Sequence, residues 1–307
     1  MSRSVRLGRA AGAATLAVAL VAGVVAAAPP ASSSASSSIT RKVVQEQVWI
    51  QAGDHQVPGT FAYPKAGGSA ARYPAVLMLH GFGSTSDEVG NMYLHEAQQL
   101  ALRGYASLRI DFAGSGLNPQ PFTANTFDGM VADSTAALDW LIARRNTDDA
   151  RIGVLGFSLG GKLVATIGGT DPRVKALASW SGAIENGIGS LEYLMAYYPE
   201  AQAHGHVVVD LGWRTVDLSL AWFETMMAST SLDQLGAYAG PMLLVAGEID
   251  TTVNPDVSRH AAGASGSFDV TLRIIPGADH IYLVLTPDQT LANGVINLTA
   301  DWFKSKL

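Results

Sequence analysis

Gly156-Phe157-Ser158-Leu159-Gly160 places a serine between two glycines, after the apolar run 151–155 and before the helix-like run 161–167. A Gly-x-Ser-x-Gly at a strand-to-helix turn holds the serine on a bend too tight for flanking side chains, with its hydroxyl clear of the sheet. The helix N-terminus behind it favours negative charge. A serine hydroxyl is a poor nucleophile at neutral pH and needs a base. Histidine serves when an acid orients it and stabilises its charged form. On such a turn the chain order is serine, acid, histidine. This chain offers that order. Gly247-Glu248-Ile249-Asp250 follows one apolar run, and Pro276-Gly277-Ala278-Asp279-His280 follows another. Both leave strands at their carboxyl ends, the rim where Ser158 must also lie.

Asp250 and Glu248 compete for the acid. Asp279 adjoins His280, and sequence neighbours orient each other's side chains poorly, so it reads as structural. His55, His95, His204, His206 and His260 have no strand-end setting. His204 and His206 form a His-x-His with no third ligand in sight, so neither a metal nor another cofactor is expected.

The elements that must carry these groups alternate strand and helix. Residues 43–50 and 57–63 read as an antiparallel pair. Residues 74–79 read as a buried strand, and 105–112, 151–157, 174–180, 241–246 and 270–275 as further strands. Residues 88–102 and 128–144, the run after Ser158, and 286–306 read as helices, with Pro287 suited to the last one's first turn. Short apolar strands alternating with helices predict an α/β fold, a mostly parallel sheet covered on both faces. Residues 181–240 break the alternation. They are too long for a simple crossover and are rich in aromatics and Met, including Trp213, Trp222 and Phe223. They read as a helical insert, with a core of its own or capping the site and lining an apolar pocket.

Composition narrows the classes. The 307 residues suit one large domain, and 48% hydrophobic with 15% charged residues suits a packed core rather than disorder. A net charge of −6 gives no reason to expect nucleic-acid binding. The absence of cysteine excludes disulfides, thiolate metal sites and a cysteine nucleophile. Arg3, Arg6 and Arg9 precede an uncharged apolar stretch, 10–28, that ends in small residues. That is the pattern of a signal peptide over 1–28, without a twin-arginine pair, so export by the general secretory route is expected. No stable membrane anchor is expected after cleavage. Removing the leader takes three arginines and no acid, shifting the net charge from −6 to −9. Residues 29–40, Ala/Ser-rich after a Pro-Pro start, read as a flexible linker before a domain at 41–307.

Five motifs in this order resemble the α/β-hydrolases: His80-Gly81-Phe82-Gly83, Asp111-Phe112-Ala113-Gly114-Ser115-Gly116, Gly156 to Gly161, Gly247 to Asp250, and Gly277 to His280. The resemblance covers about 43–307. It implies Ser158 as nucleophile, Asp250 as acid and His280 as base. An oxyanion hole needs two backbone N–H donors. Leu159, after the nucleophile, supplies one, and the resemblance gives Phe82 as the other. His80 would brace the loop, and the Asp111 turn would be structural. The insert, with Leu211-Gly212-Trp213-Arg214, is similar to that of cinnamoyl and feruloyl esterases. The layout also resembles dienelactone hydrolases, which usually use Cys where this chain has Ser158. The implied function is a secreted serine carboxylesterase acting on small-molecule esters of small to medium or aryl acyl groups. A peptidase of the prolyl-oligopeptidase type and an inactive binding protein on the same fold are the alternatives.

Overall fold

The computed structural model describes residues 42–65 and 71–307. The expected leader and linker lie outside the described residues. The strands are β1 (Val43–Ala52), β2 (His55–Pro64), β3 (Tyr73–Leu79), β4 (Ala106–Ile110), β5 (Thr147–Phe157), β6 (Val174–Trp180), β7 (His206–Asp210), β8 (Thr215–Ser219), β9 (Met242–Gly247) and β10 (Val270–Ile275). The α-helices are α1 (Met92–Leu102), α2 (Phe127–Ala143), α3 (Leu159–Thr170), α4 (Tyr198–His204), α5 (Leu220–Ala228), α6 (Ser231–Leu235), α7 (Pro255–Ala264) and α8 (Thr290–Lys306).

Eight strands form one sheet in the order β1-β2-β4-β3-β5-β6-β9-β10. β2 runs antiparallel to both β1 and β4; every other pairing is parallel. The central strands are apolar on both faces because both are covered. In β3, Ala75, Leu77 and Leu79 join the core under α2 and α3, while Val76 and Met78 join the core under α1 and α8.

The insert differs from its helical expectation. Besides α4, α5, α6 and a 3₁₀ segment at Gly189–Tyr197, it contains the antiparallel hairpin β7–β8. Val207, Val209, Val216 and Leu218 face inward and are buried, while Val208 between them is exposed. That period-two alternation of β-branched residues is a strand signal the aromatic count obscured.

Two other elements shift. Glu88 is not helical: it lies at φ 61°, caps a single 3₁₀ turn, and α1 begins at Met92. The closing helix α8 starts at Thr290, with Pro287 in the loop before it. Thr286 Oγ donates to the Leu283 and Asp288 carbonyls, and Asp288 accepts from Thr290 N, so these side chains close a turn before the helix begins.

Candidate active site

Ser158 sits where β5 ends and α3 begins, at φ 53° and ψ −116°. A non-glycine residue there stores roughly 1–3 kcal/mol of strain, so its surroundings must fix it. Ser158 N donates to Trp180 O (2.9 Å), and Ser158 O accepts from Gly161 N (2.9 Å) and Ala183 N (3.0 Å). A Cβ on Gly156 would collide with the Gly160 peptide, and one on Gly160 with the Leu79 carbonyl. The two glycines let helix, strand and neighbouring strand close on the serine.

Asp250 and His280 leave β9 and β10 at their carboxyl ends, and the structure brings both to Ser158. Ser158 Oγ lies 3.2 Å from His280 Nε2, and His280 Nδ1 lies 2.8 Å from Asp250 Oδ2. With Nδ1–H donating to the acid, Nε2 is free to accept the serine proton. The Asp250 side chain has no exposed surface, and its Oδ1 accepts from Thr252 N (2.8 Å) and Val253 N (2.9 Å). The His280 loop is pinned beneath: Ser181 Oγ lies 3.0 Å from Tyr282 Oη, which donates to Val245 O at 3.1 Å. Burial pushes the Tyr282 phenol up, keeping it a neutral donor.

The competing carboxylates do other work. Glu248 is exposed and its Oε2 accepts from Gly277 N (2.9 Å), tying the β9 turn to the β10 turn. Asp279 Oδ1 accepts from Ile281 N and Leu283 N, which supports positive φ at Tyr282 and Leu283. Asp111 accepts from Ser86 N (2.6 Å) and Leu117 N (3.0 Å), a structural turn. His206 is held by Asp217 at 2.6 Å across the hairpin.

The loop after β3 lies against the nucleophile. A Cβ on Gly81 would stand 3.2 Å from Ser158 Cβ. Gly81 N is already taken by Glu88 Oε1 (2.5 Å), whereas Phe82 N has no acceptor among the described residues. His80 is buried; Nδ1–H donates to Gly81 O (2.8 Å) and Nε2 accepts from Phe112 N (3.1 Å). Burial lowers its pKa, so it braces the loop as a neutral imidazole.

Three residues that composition and motif did not single out as functional hold this assembly. Glu88 is buried, and its second oxygen accepts from Ser84 Oγ and Val89 N, both at 2.8 Å. Arg214 reaches from the hairpin tip to the Gly83 and Gly114 carbonyls, each at 2.9 Å. Lys162, on α3, donates to the Glu185 and Gly187 carbonyls and lies 5.6 Å from the Phe127 ring centroid; burial pushes its amine down to about 8. A lysine one turn after the serine, and buried on an apolar helix, was the available signal. For Arg214 the partners are backbone atoms of distant loops, which leave no trace in sequence; those of Glu88 lie within seven residues, but reaching them depends on its positive φ.

Of the three aromatic pocket candidates, Trp213 is 68% exposed, whereas Trp222 and Phe223 have no exposed surface. Trp222 packs on Phe82 (centroids 5.4 Å apart) and on Phe223 (5.0 Å), and Phe223 on Tyr198 (5.6 Å). The expectation that all three line a pocket is therefore corrected for Trp222 and Phe223. Phe223 packs within the insert, and Trp222 seals the insert onto the Phe82 ring of the loop after β3, so both gain from burial as large aromatics do.

Fold and site together define the class: the chain has the α/β-hydrolase fold, with a serine, a histidine and an aspartate hydrogen-bonded in sequence at its carboxyl rim. A family described as serine aminopeptidase, S33, matches residues 71–202. The 2,6-dihydropseudooxynicotine hydrolase of Paenarthrobacter nicotinovorans is 35% identical over 113 residues, 36% of this chain and 28% of that protein. The chain spans about half or less of the length of the curated relatives it matches. Est1E from Butyrivibrio proteoclasticus, solved with ferulic acid bound, shares the fold with a TM-score of 0.68 at 20% identity, over 84% of this chain and 98% of that one. Dienelactone hydrolase from Anabaena variabilis does so with a TM-score of 0.60 at 20% identity, over 87% and 99%.

Proposed function

We propose that this protein hydrolyses carboxylic esters through an acyl-enzyme intermediate on Ser158. The observation that carries the reading is the unbroken chain Ser158 Oγ–His280 Nε2 (3.2 Å) and His280 Nδ1–Asp250 Oδ2 (2.8 Å). Ser158 attacks the carbonyl carbon as His280 takes its proton, and Asp250 stabilises the imidazolium. The N–H groups of Phe82 and Leu159 receive the developing oxyanion. His280 returns the proton to the leaving alcohol. Water then repeats the sequence, releasing the acid and restoring Ser158. Esters, thioesters, lactones and amides share this route. An insert carrying an exposed tryptophan beside the loop, together with the likeness to a protein solved with ferulic acid, favours small to medium or aryl acyl groups.

The aminopeptidase description of the matched family supports peptide hydrolysis as the second reading. The leader pattern at 1–28 supports export, so the reading is of an enzyme acting outside the cell. Turnover of p-nitrophenyl acetate, p-nitrophenyl butyrate, methyl ferulate and aminoacyl or prolyl p-nitroanilides tests the reading. Ester turnover that Ser158→Ala abolishes is expected. Turnover of the anilides alone selects the peptidase reading, and none of either selects a binding protein. N-terminal sequencing of the protein from culture medium tests export and the cleavage point.

A further inference from the structure

We propose that Arg214 is a positioning residue of the oxyanion loop, so that the insert's hairpin is part of the catalytic machinery rather than only a cover. The inference rests on reading Phe82 N–H as an oxyanion donor. That N–H lies between two gripped peptides. On one side Glu88 takes the Gly81 N–H. On the other the Arg214 guanidinium takes the Gly83 carbonyl. Its second nitrogen donates to the Gly114 carbonyl, in the turn after β4, so one planar fork spans two loops and the hairpin.

The anchor is itself fixed. Leu211 N donates to Arg214 O (2.9 Å), closing the hairpin tip, and Gly212 supplies the left-handed turn at φ 87°. The guanidinium lies 5.3 Å from the Phe122 ring centroid, and that ring meets Phe82 edge-on at 5.9 Å. Arg214 pairs with no carboxylate among the described residues. Its charge is spent on neutral carbonyls next to the place where negative charge develops, which favours the transition state over the ground state.

The consequence is kinetic. Gly83 is at φ 68°, and although the Gly81 carbonyl of the same peptide is held by His80 Nδ1 (2.8 Å) and Ser84 N (3.2 Å), losing the fork frees the Gly83 end of the turn and loosens the aim of the Phe82 N–H. Loss of one oxyanion donor costs about 10²–10³-fold in kcat, and a misaimed one less.

The test is the rate at which a fluorophosphonate labels Ser158, located by mass spectrometry, with kcat and KM on p-nitrophenyl butyrate alongside. Full-length wild type, Arg214→Ala and Arg214→Lys are compared, each with and without ethylguanidinium at tens of millimolar. Arg214→Ala is expected to lose roughly 10–100-fold in labelling rate and kcat, with KM changed less than about threefold. Ethylguanidinium restores part of that loss in the Ala variant only. Arg214→Lys, which keeps the charge and can satisfy one carbonyl, falls in between; it decides the matter if Arg214→Ala does not fold. Wild-type labelling rates in a folded variant, a loss confined to KM, or the same guanidinium response in wild type overturn the proposal. If wild type labels at Ser158 but turns over no ester, the esterase reading fails while the labelling rates still decide the role of Arg214.

Discussion

Asp250 and Glu248 stand two residues apart on one turn and hold different partners: Asp250 Oδ2 takes His280 Nδ1–H at 2.8 Å, while Glu248 Oε2 takes the Gly277 N–H at 2.9 Å. One is fully buried against the imidazole and the other reaches along the surface to the next turn. Asp250→Asn is expected to reduce kcat by roughly 10²–10⁴-fold, because an amide cannot stabilise the imidazolium. Glu248→Gln keeps an acceptor for Gly277 and stays within about threefold of wild type. Steady-state kinetics on p-nitrophenyl butyrate check the pair, and reversed effects would reassign the acid.

Glu88 bridges the oxyanion loop from below. Glu88→Ala strips the acceptor from Gly81 N, Ser84 Oγ and Val89 N at once. Leaving a buried donor unpaired costs about 1–3 kcal/mol. The expected outcome is a lower urea midpoint together with a fall in kcat of roughly 10-fold or more, KM holding nearly constant. A variant that loses stability but keeps wild-type kcat would show that the loop holds its shape unaided.

Aromatic residues of the insert separate into two behaviours. Trp222→Ala and Phe223→Ala empty a closed core and should each cost about 3–5 kcal/mol. Trp213→Ala, at an exposed position beside Gly83, should change stability by less than about 0.5 kcal/mol. It should instead lower kcat/KM for aryl esters relative to acetate, by an amount equivalent to about 1–3 kcal/mol. Chemical denaturation and paired substrate kinetics read the two effects independently.

His55 gives the hairpin β1–β2 a pH-dependent contact with α2. Burial opposes its charge, but hydrogen bonds from Nε2 to Asp133 (2.8 Å) and from Nδ1 to Asp54 outweigh that, so its pKa is raised above 6.5. Burial also raises the Asp133 carboxyl despite the His55 bond, so the pair is charged on both sides only between the two raised values. The His55 contribution is fully present between the raised Asp133 value and pH 6.5, is lost as pH rises through the folded-state pKa of His55, and falls away again as Asp133 protonates. The stability gap between wild type and His55→Gln should therefore be largest, at about 1 kcal/mol, near pH 6 and shrink by pH 8.5. Urea melts at the two pH values measure it. A gap that grows with pH contradicts the assignment.

The chemistry was legible where it sits at strand ends. Ser158, Asp250 and His280 each follow an apolar run that reads as a strand, and the order of turns brings them to one rim. Glu88 was hidden because its residue type suits a helix start, whereas its positive φ turns the carboxylate back under the loop. Arg214 lies 131 positions from the carbonyl it holds, and no periodicity encodes a bond to a backbone atom. Trp222 and Phe223 misled because aromatic density is the same signal for a pocket and for a small core. The sequence distinguishes the two only through the period-two valines beside them, which mark a hairpin for the aromatics to pack under.

The insert leaves the sheet after β6 and returns at β9, and these two strands are hydrogen-bonded neighbours, with Leu177 opposite Met242. Because the two run parallel, the chain leaves at the carboxyl rim and must cross to the opposite one; within that crossover Asn186 bridges Thr230 and Gly187 N donates to Ser229 O (2.8 Å), so the excursion between them departs and comes back a few ångströms apart, whatever lies between. Loop closure grows only logarithmically with length, so doubling the excursion would cost about 0.6 kcal/mol. Such a seam tolerates exchange of one module for another during descent. The constraint on any replacement is local: it must still present a forked donor to the carbonyls of Gly83 and Gly114, so selection would preserve one tip residue while letting the rest of the segment diverge.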